Sequence, residues 1–240
     1  PAQVQEAPGE TEQMRPRPDD EMTDYEGSGL LAGRRALITG GDSGIGRAVA
    51  IAFAKEGADV VVSYLDEHDD AARTRSLVED EGRRCGAIAG DLSQESQCLR
   101  LVADSVELLG GLDIVVNNLA TQAVQESLLD ISTEQWDVTF RTNVYSYFWV
   151  TRAALPHLGR GSVILNTASI NGLRGNASLI DYSATKGAIL AFTYSLAQSL
   201  VDDGIRVNCV APGPVWTPLI PATMPAEKVA MVPRNRLTQG

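Results

Sequence analysis

Tyr182-Ser183-Ala184-Thr185-Lys186 sets a phenol and an ammonium four residues apart, hence on one face of a helix. A phenol with a free pKa of about 10 is a poor base near neutrality, but a neighbouring cation favours its ionised form. The pair is thus suited to moving a proton on and off an oxygen, although the same spacing describes an ordinary surface pair. Ser169 lies 13 residues before Tyr182, at the end of the apolar run Ser162–Thr167. In an open α/β sheet that position is the carboxyl edge of a strand, where ligands bind. Asn143 lies inside a long helical stretch upstream.

Elements that would position these groups follow one another along the chain. Ala36–Thr39, Val60–Val62, Ala87–Ala89, Leu112–Val116, Ser162–Thr167 and Ile205–Val210 read as strands. Helical spacing over 45–56, 67–81, 94–109, 133–155 and 181–201 separates them. Strands alternating with helices of ten or more residues predict βαβ units. The expected fold is α/β, a single doubly wound parallel sheet of the Rossmann type with helices on both faces.

The first strand runs into Thr39-Gly40-Gly41-Asp42-Ser43-Gly44-Ile45-Gly46 and then an alanine-rich helix. Gly40 permits a sharp exit from the strand, Gly44 a close backbone approach to a pyrophosphate, and Gly46 tight packing of helix on sheet. The helix N-terminus would aim free N–H groups at the phosphates. No Gly-Lys-Ser/Thr ending follows, which disfavours a P-loop.

This turn, spaced Gly-x3-Gly-x-Gly, resembles that of the short-chain dehydrogenase/reductase family, and the resemblance runs from about Leu31 to Leu219. Asp91-Leu92, after the third strand, stands where that family sets an Asp against adenine. Asn117-Asn118-Leu119-Ala120 looks like the family's Asn-Asn-Ala-Gly, with Leu119 and Ala120 departing from its commonest form. Pro212-Gly213, Val215 and Thr217 follow the sixth strand, where the family contacts nicotinamide. The order of Asn143, Ser169, Tyr182 and Lys186 matches the family's catalytic four. The resemblance implies an NAD(P)-dependent oxidoreductase acting on a carbonyl or alcohol. Tyr182 would be the acid/base, Ser169 the holder of the substrate oxygen and Asn143 the holder of a relay water. Lys186 would lower the tyrosine pKa and bind the nicotinamide ribose. The wording of the chain is similar to the glucose/ribitol dehydrogenase-like or aldehyde-reducing branch, implying a small aldehyde, ketone, sugar or polyol. Two other readings stay open: a 3-oxoacyl thioester reductase of the same family, and a non-catalytic nucleotide sensor.

Ser63-Tyr64 close the second strand, where an acidic residue would hold a ribose 2′-hydroxyl. Asp66 and Glu67 come slightly later, and Arg47 begins the first helix, either as a solvated charge or within reach of a 2′-phosphate. NAD and NADP are both expected. The chain has 240 residues, 44% of them hydrophobic, and a net charge of −11. An acidic surface disfavours nucleic acid. Cys85, Cys98 and Cys209 form no metal or disulfide spacing, and two histidines leave no His-rich metal site. No apolar stretch reaches a membrane span and the N-terminus carries no secretory signal pattern, so a cytoplasmic location is expected, with a homotetramer or homodimer. Residues 1–29, poor in aliphatics, predict a flexible arm. Met14, Met22 and Tyr25 are its possible anchors on a neighbouring subunit. The domain spans 30–240, with a substrate loop from about Pro212; the family resemblance implies a further helix and strand beyond it.

Overall fold

Strands β1 (Arg35–Thr39), β2 (Asp59–Tyr64), β3 (Cys85–Ala89), β4 (Ile114–Asn117), β5 (Val163–Thr167) and β6 (Arg206–Val210) build one sheet. In the computed structural model, which describes residues 2–232, the order is β3-β2-β1-β4-β5-β6 and every pairing is parallel. The doubly wound expectation is met. Successive side chains of a strand face opposite ways. Leu37, Val61, Val115 and Ile164 pack under Leu101, Val102 and Val150 on one face. Ala36, Ile38, Val60, Val62 and Val116 pack under Ala50, Ala54 and Val78 on the other. Apolar residues on both faces explain why these strands read as continuous runs rather than alternating ones.

Helices α1 (Gly44–Lys55) and α2 (His68–Asp80) cover one face, and α3 (Glu95–Leu109) and α5 (Ser146–Ala154) the other. The expected 133–155 helix is present, with one widened turn inside it. It comprises α4 (Thr133–Phe140), a π-helical turn at Arg141–Tyr145, and α5. A widened turn of this kind is common at functional sites. After β5 come α6 (Ile170–Arg174) and the long α7 (Ile180–Ser199). The stretch after Pro212, expected to be loops, contains short helices α8 (Leu219–Thr223) and α9 (Ala226–Ala230). The remainder of the expected substrate segment, to Gly240, lies outside the described residues. Among the described residues no helix is long and apolar enough to cross a membrane.

The flexible arm is corrected by the structure: residues 2–29 lie on the body of their own chain. Met14 is fully buried against Trp216, Ile220 and Val229. The Tyr25 hydroxyl and the backbone N–H groups of Ser28 and Leu30 donate to Glu56. Met22 is only half-buried. The arm's poverty in aliphatics is genuine, but the body supplies one apolar pocket and several paired charges. A hydropathy argument on the segment alone does not count those.

Candidate active site

The cleft lies above β1 and β4, the point at which the strand order reverses, and encloses about 730 Å³. Ligands of open α/β sheets bind at such a switch point. The glycine turn joins β1 to α1 there. A Cβ on Gly46 would stand 1.9 Å from the Gly40 carbonyl oxygen, so the helix approaches the strand only with glycine at that place. Gly44 has φ +51°, and the space its side chain would need is taken by Thr217 Cγ2 at 2.8 Å. The turn therefore touches the substrate loop directly. Asn118 fixes the turn from β4, donating its Nδ2 to Gly40 O at 3.0 Å, while its backbone N–H donates to Thr39 Oγ1 at 2.9 Å.

Ser43 is the N-cap of α1 and makes no side-chain capping bond, whereas Ser132 and Ser169 do cap their helices. The first N–H groups of a helix have no intrahelical partner. Asp20 Oδ2 accepts the Gly44 N–H from outside the helix, and this N-terminus, with Gly44 and Ile45 on the wall of the cleft, fits a phosphate acceptor.

On α7, Lys186 is fully buried and donates from Nζ to Thr167 O at 2.7 Å. The ammonium lies 5.5 Å from the centroid of the Tyr182 ring and 5.7 Å from that of Tyr147. Burial pushes the Lys186 pKa down to about 7. Burial also raises Tyr182 above its ordinary value, and a hydrogen bond with Ser169 pulls it partly back. Burial acts against the depression expected from Lys186. The Tyr182 phenol is neutral at rest.

Ser169 caps α6, its Oγ accepting from Asn171 N at 3.2 Å. Asn143 is fully buried in the π-helical turn. Its Nδ2 donates to Thr121 O at 2.8 Å and Thr185 Oγ1 at 3.1 Å, and its Oδ1 accepts from Thr121 N at 2.7 Å. Both amide hydrogens are used, so the side chain holds the segment after β4. Beside Tyr182, the buried carboxylate of Asp181 accepts from Thr139 Oγ1 at 2.8 Å and Gln135 Nε2 at 2.9 Å, tying α7 to α4.

At the opposite end the cleft is lined by Asp42, Ser63, Tyr64, Glu67, Asp91 and Leu92. Burial, reinforced by the charge of Glu67, pushes the Asp42 carboxyl up to about 7. The Tyr64 hydroxyl is 3.0 Å from His68 Nδ1. Asp91 is exposed and accepts from its own turn, at Ser93 N and Oγ. Arg47 overturns both of its expected roles. It is 1% exposed, with Nη2 at 2.6 Å from Asp70 and further bonds to Asp42 O and Thr74 Oγ1. It is a structural cation under the turn, neither solvated nor free to clamp a 2′-phosphate.

The family model described as short chain dehydrogenase matches residues 34–228. The chain belongs to that family. It is an NAD(P)-dependent oxidoreductase acting on CH–OH groups. It is 59% identical over 222 residues to the uncharacterized oxidoreductase YhdF of Bacillus subtilis, covering 92% of this chain and 77% of that one. It is 46% identical to NADPH-dependent aldehyde reductase 1, chloroplastic, of Arabidopsis thaliana, covering 97% and 84%. A short chain dehydrogenase from Burkholderia cenocepacia, crystallised in complex with NADP, superposes with a TM-score of 0.75 at 37% identity, over 77% of this chain and 75% of that one.

Within this short chain dehydrogenase the expected residues converge, with two set back. Gly40, Asp42, Ser43, Gly44, Ile45, Asn118, Ala120, Ser169, Tyr182, Lys186, Pro212, Gly213, Val215 and Thr217 all line the cleft, as do Ser63, Tyr64, Asp91 and Leu92. Gly46 and Asn143 stand behind it, shaping the backbone. Sequence reasoning missed Tyr147, whose hydroxyl lies within hydrogen-bonding range of Leu119 O and Thr167 O beneath Lys186. Its spacing of one helical turn from Asn143 was the available signal. It also missed Asn166, which accepts from Asn117 Nδ2 at 2.9 Å and donates to Thr193 Oγ1 at 2.9 Å. A buried amide inside an apolar strand was the clue there. Gln122, and Ala7, Pro8 and Gly9 of the arm, also line the cleft and carried no sequence signal.

Proposed function

We propose that this chain reduces a small aldehyde or ketone with NADH or NADPH, and oxidises the matching alcohol, sugar or polyol in reverse. The observation that carries the reading is a neutral, buried Tyr182 hydrogen-bonded to Ser169 and set beside Lys186 in a cleft with a helix N-terminus on its wall. The likeness to an enzyme named as an aldehyde reductase supports the substrate class.

The glycine turn at Ser43–Ile45 would receive the pyrophosphate, with Asp42, Ser63, Tyr64, Asp91 and Leu92 around the adenosine. Asn118, Ala120, Pro212, Gly213, Val215 and Thr217 would wall the nicotinamide, and Lys186 would hold its ribose. The nicotinamide supplies the hydride. Ser169 would hold the carbonyl oxygen and Tyr182 would donate the proton to it. A phenol kept neutral is already in the form that reduction needs, whereas oxidation first requires its ionisation. The expected pH dependence follows: oxidation quickens as pH rises, and reduction falls away at high pH. Absorbance of reduced nicotinamide, followed in both directions with short aldehydes, sugars, polyols and an acetoacetyl thioester, tests this. Tight cofactor binding with no turnover on the whole panel would instead favour a sensor, and turnover of the thioester alone a 3-oxoacyl reductase.

We also propose a homodimer or homotetramer in the cytoplasm. Val138, Tyr145 and Phe148 of the α4–α5 region are 44–55% exposed, an apolar stripe suited to a second copy. The unpaired thiols of Cys85, Cys98 and Cys209 suit a reducing compartment.

A further inference from the structure

The N-terminal arm touches both elements between which a dinucleotide must sit. At one end Asp20, 5% exposed, accepts the N–H of Gly44 at 2.9 Å through Oδ2. Gly44 is the first residue of α1 and part of the glycine turn. Asp20 also pairs with Arg47 at 3.5 Å, and Arg47 pairs in turn with Asp70. Asp70 receives the arm a second time, accepting Thr11 N at 2.8 Å. At its other end the arm holds the substrate loop. Gln5 N donates to Pro221 O at 2.9 Å, Trp216 Nε1 donates to Pro16 O at 2.9 Å, and Met14 fills the pocket made by Trp216, Ile220 and Val229. Between these ends, Ala7, Pro8 and Gly9 form part of the wall of the cleft. The fit there is close: a Cβ on Gly9 would lie 2.6 Å from Pro218 O and 3.0 Å from Ala222 Cβ.

We propose that the arm is a working part of the cofactor and substrate site, with Asp20 positioning the glycine turn for the dinucleotide and Met14 positioning the substrate loop. The proposal rests on the nicotinamide-dependent reading above. A carboxylate at a helix N-terminus ordinarily competes with a phosphate for the same partial positive charge. Here the Arg47 guanidinium, shared with Asp70, offsets part of that charge, so Asp20 orients Gly44 while only partly opposing the field at Ile45. The turn and the loop already touch at Gly44 and Thr217. The arm straps the same two elements together from outside, so that a dinucleotide entering between them meets a preset gap. Such preorganisation raises affinity by lowering the ordering cost of binding.

A merely structural arm would lower stability without separating the two ends of the site, and full-length point variants distinguish the cases. Dissociation constants for NAD(P)H come from cofactor fluorescence, KM and kcat from turnover, and melting temperature from each variant. Asp20→Ala is expected to weaken cofactor binding about tenfold, the scale of a lost charge-assisted hydrogen bond, with substrate KM unchanged. Asp20→Asn keeps an acceptor for the Gly44 N–H and is expected to recover part of that loss. Met14→Ala and Gly9→Val are expected to raise substrate KM several-fold while cofactor dissociation stays within about twofold, because they loosen the loop and leave the turn intact. Equal movement of both constants in step with melting temperature, or no movement in either, overturns the proposal. Wild-type protein that binds no dinucleotide removes the functional reading and the arm's role together. Wild-type binding matched by Asp20→Ala removes only the latter.

Discussion

The two ends of the cleft are built on different principles. At the proposed catalytic end three buried polar side chains are bound to protein: Lys186 to Thr167, Asn143 to Thr121 and Thr185, Asp181 to α4. At the proposed adenosine end the lining carboxylates Glu67 and Asp91 sit in partly or fully exposed turns, and Asp42 is buried with its charge suppressed. The first arrangement fixes atoms for proton transfer. The second leaves room for a large ligand and sets the local charge by pH. Rigidity is spent where angles matter, and adjustability is left where contact area does.

The largest effect should come from the catalytic end. Tyr182→Phe removes the transferable proton and one hydrogen bond, and is expected to lower turnover by ~10²–10⁴. Cofactor affinity should stay close to wild type by fluorescence titration; near-normal turnover would end the acid/base assignment. Next comes the support under the glycine turn. Arg47→Met leaves Asp20 and Asp70 buried without their cation, and urea denaturation should show a loss of about 3–5 kcal/mol. A loss comparable to that of an exposed arginine would mean that the triad is relaxed in solution. The smallest effect concerns Asp42. Its carboxyl keeps a proton in the folded chain up to about 7, while the unfolded chain releases it near 3.8. The folded state therefore binds the extra proton, and this group's contribution to stability declines as pH rises between those values. Asp42→Asn should flatten that slope in melting experiments. It should also flatten the weakening of NADP binding relative to NAD as wild-type Asp42 ionises beside the site.

Much of this was legible in the residues. Strands buried on both faces announce themselves as apolar runs, and glycines at a strand–helix junction announce a turn that only glycine can make. Periodicity places Tyr182 and Lys186 on one helix face, but it was the ordered match of Asn143, Ser169, Tyr182 and Lys186 to the family's four that singled them out. Asn143 was found, but its side-chain partners Thr121 and Thr185 were not, since they lie far from it in sequence. Arg47 and residues 2–29 were misread for one shared reason. Their partners, Asp20 for the arginine and Asp70 for both, are far away in sequence. A charge with distant partners looks like a surface charge, and an arm whose anchors lie on the body looks unanchored.

The π-helical turn at Arg141–Tyr145 carries a consequence for how this chain tolerates change. One residue of an α-helix corresponds to a rotation of about 100°. The turn thus lets α4 face Asp181 while α5 faces the sheet with Tyr147, Val150 and Ala154. Deleting a single residue there would mend the helical hydrogen bonding and swing those three side chains out of register with the core. Insertions and deletions, usually the safest edits in a helix-to-helix connection, are at this junction as costly as a substitution in the active centre itself.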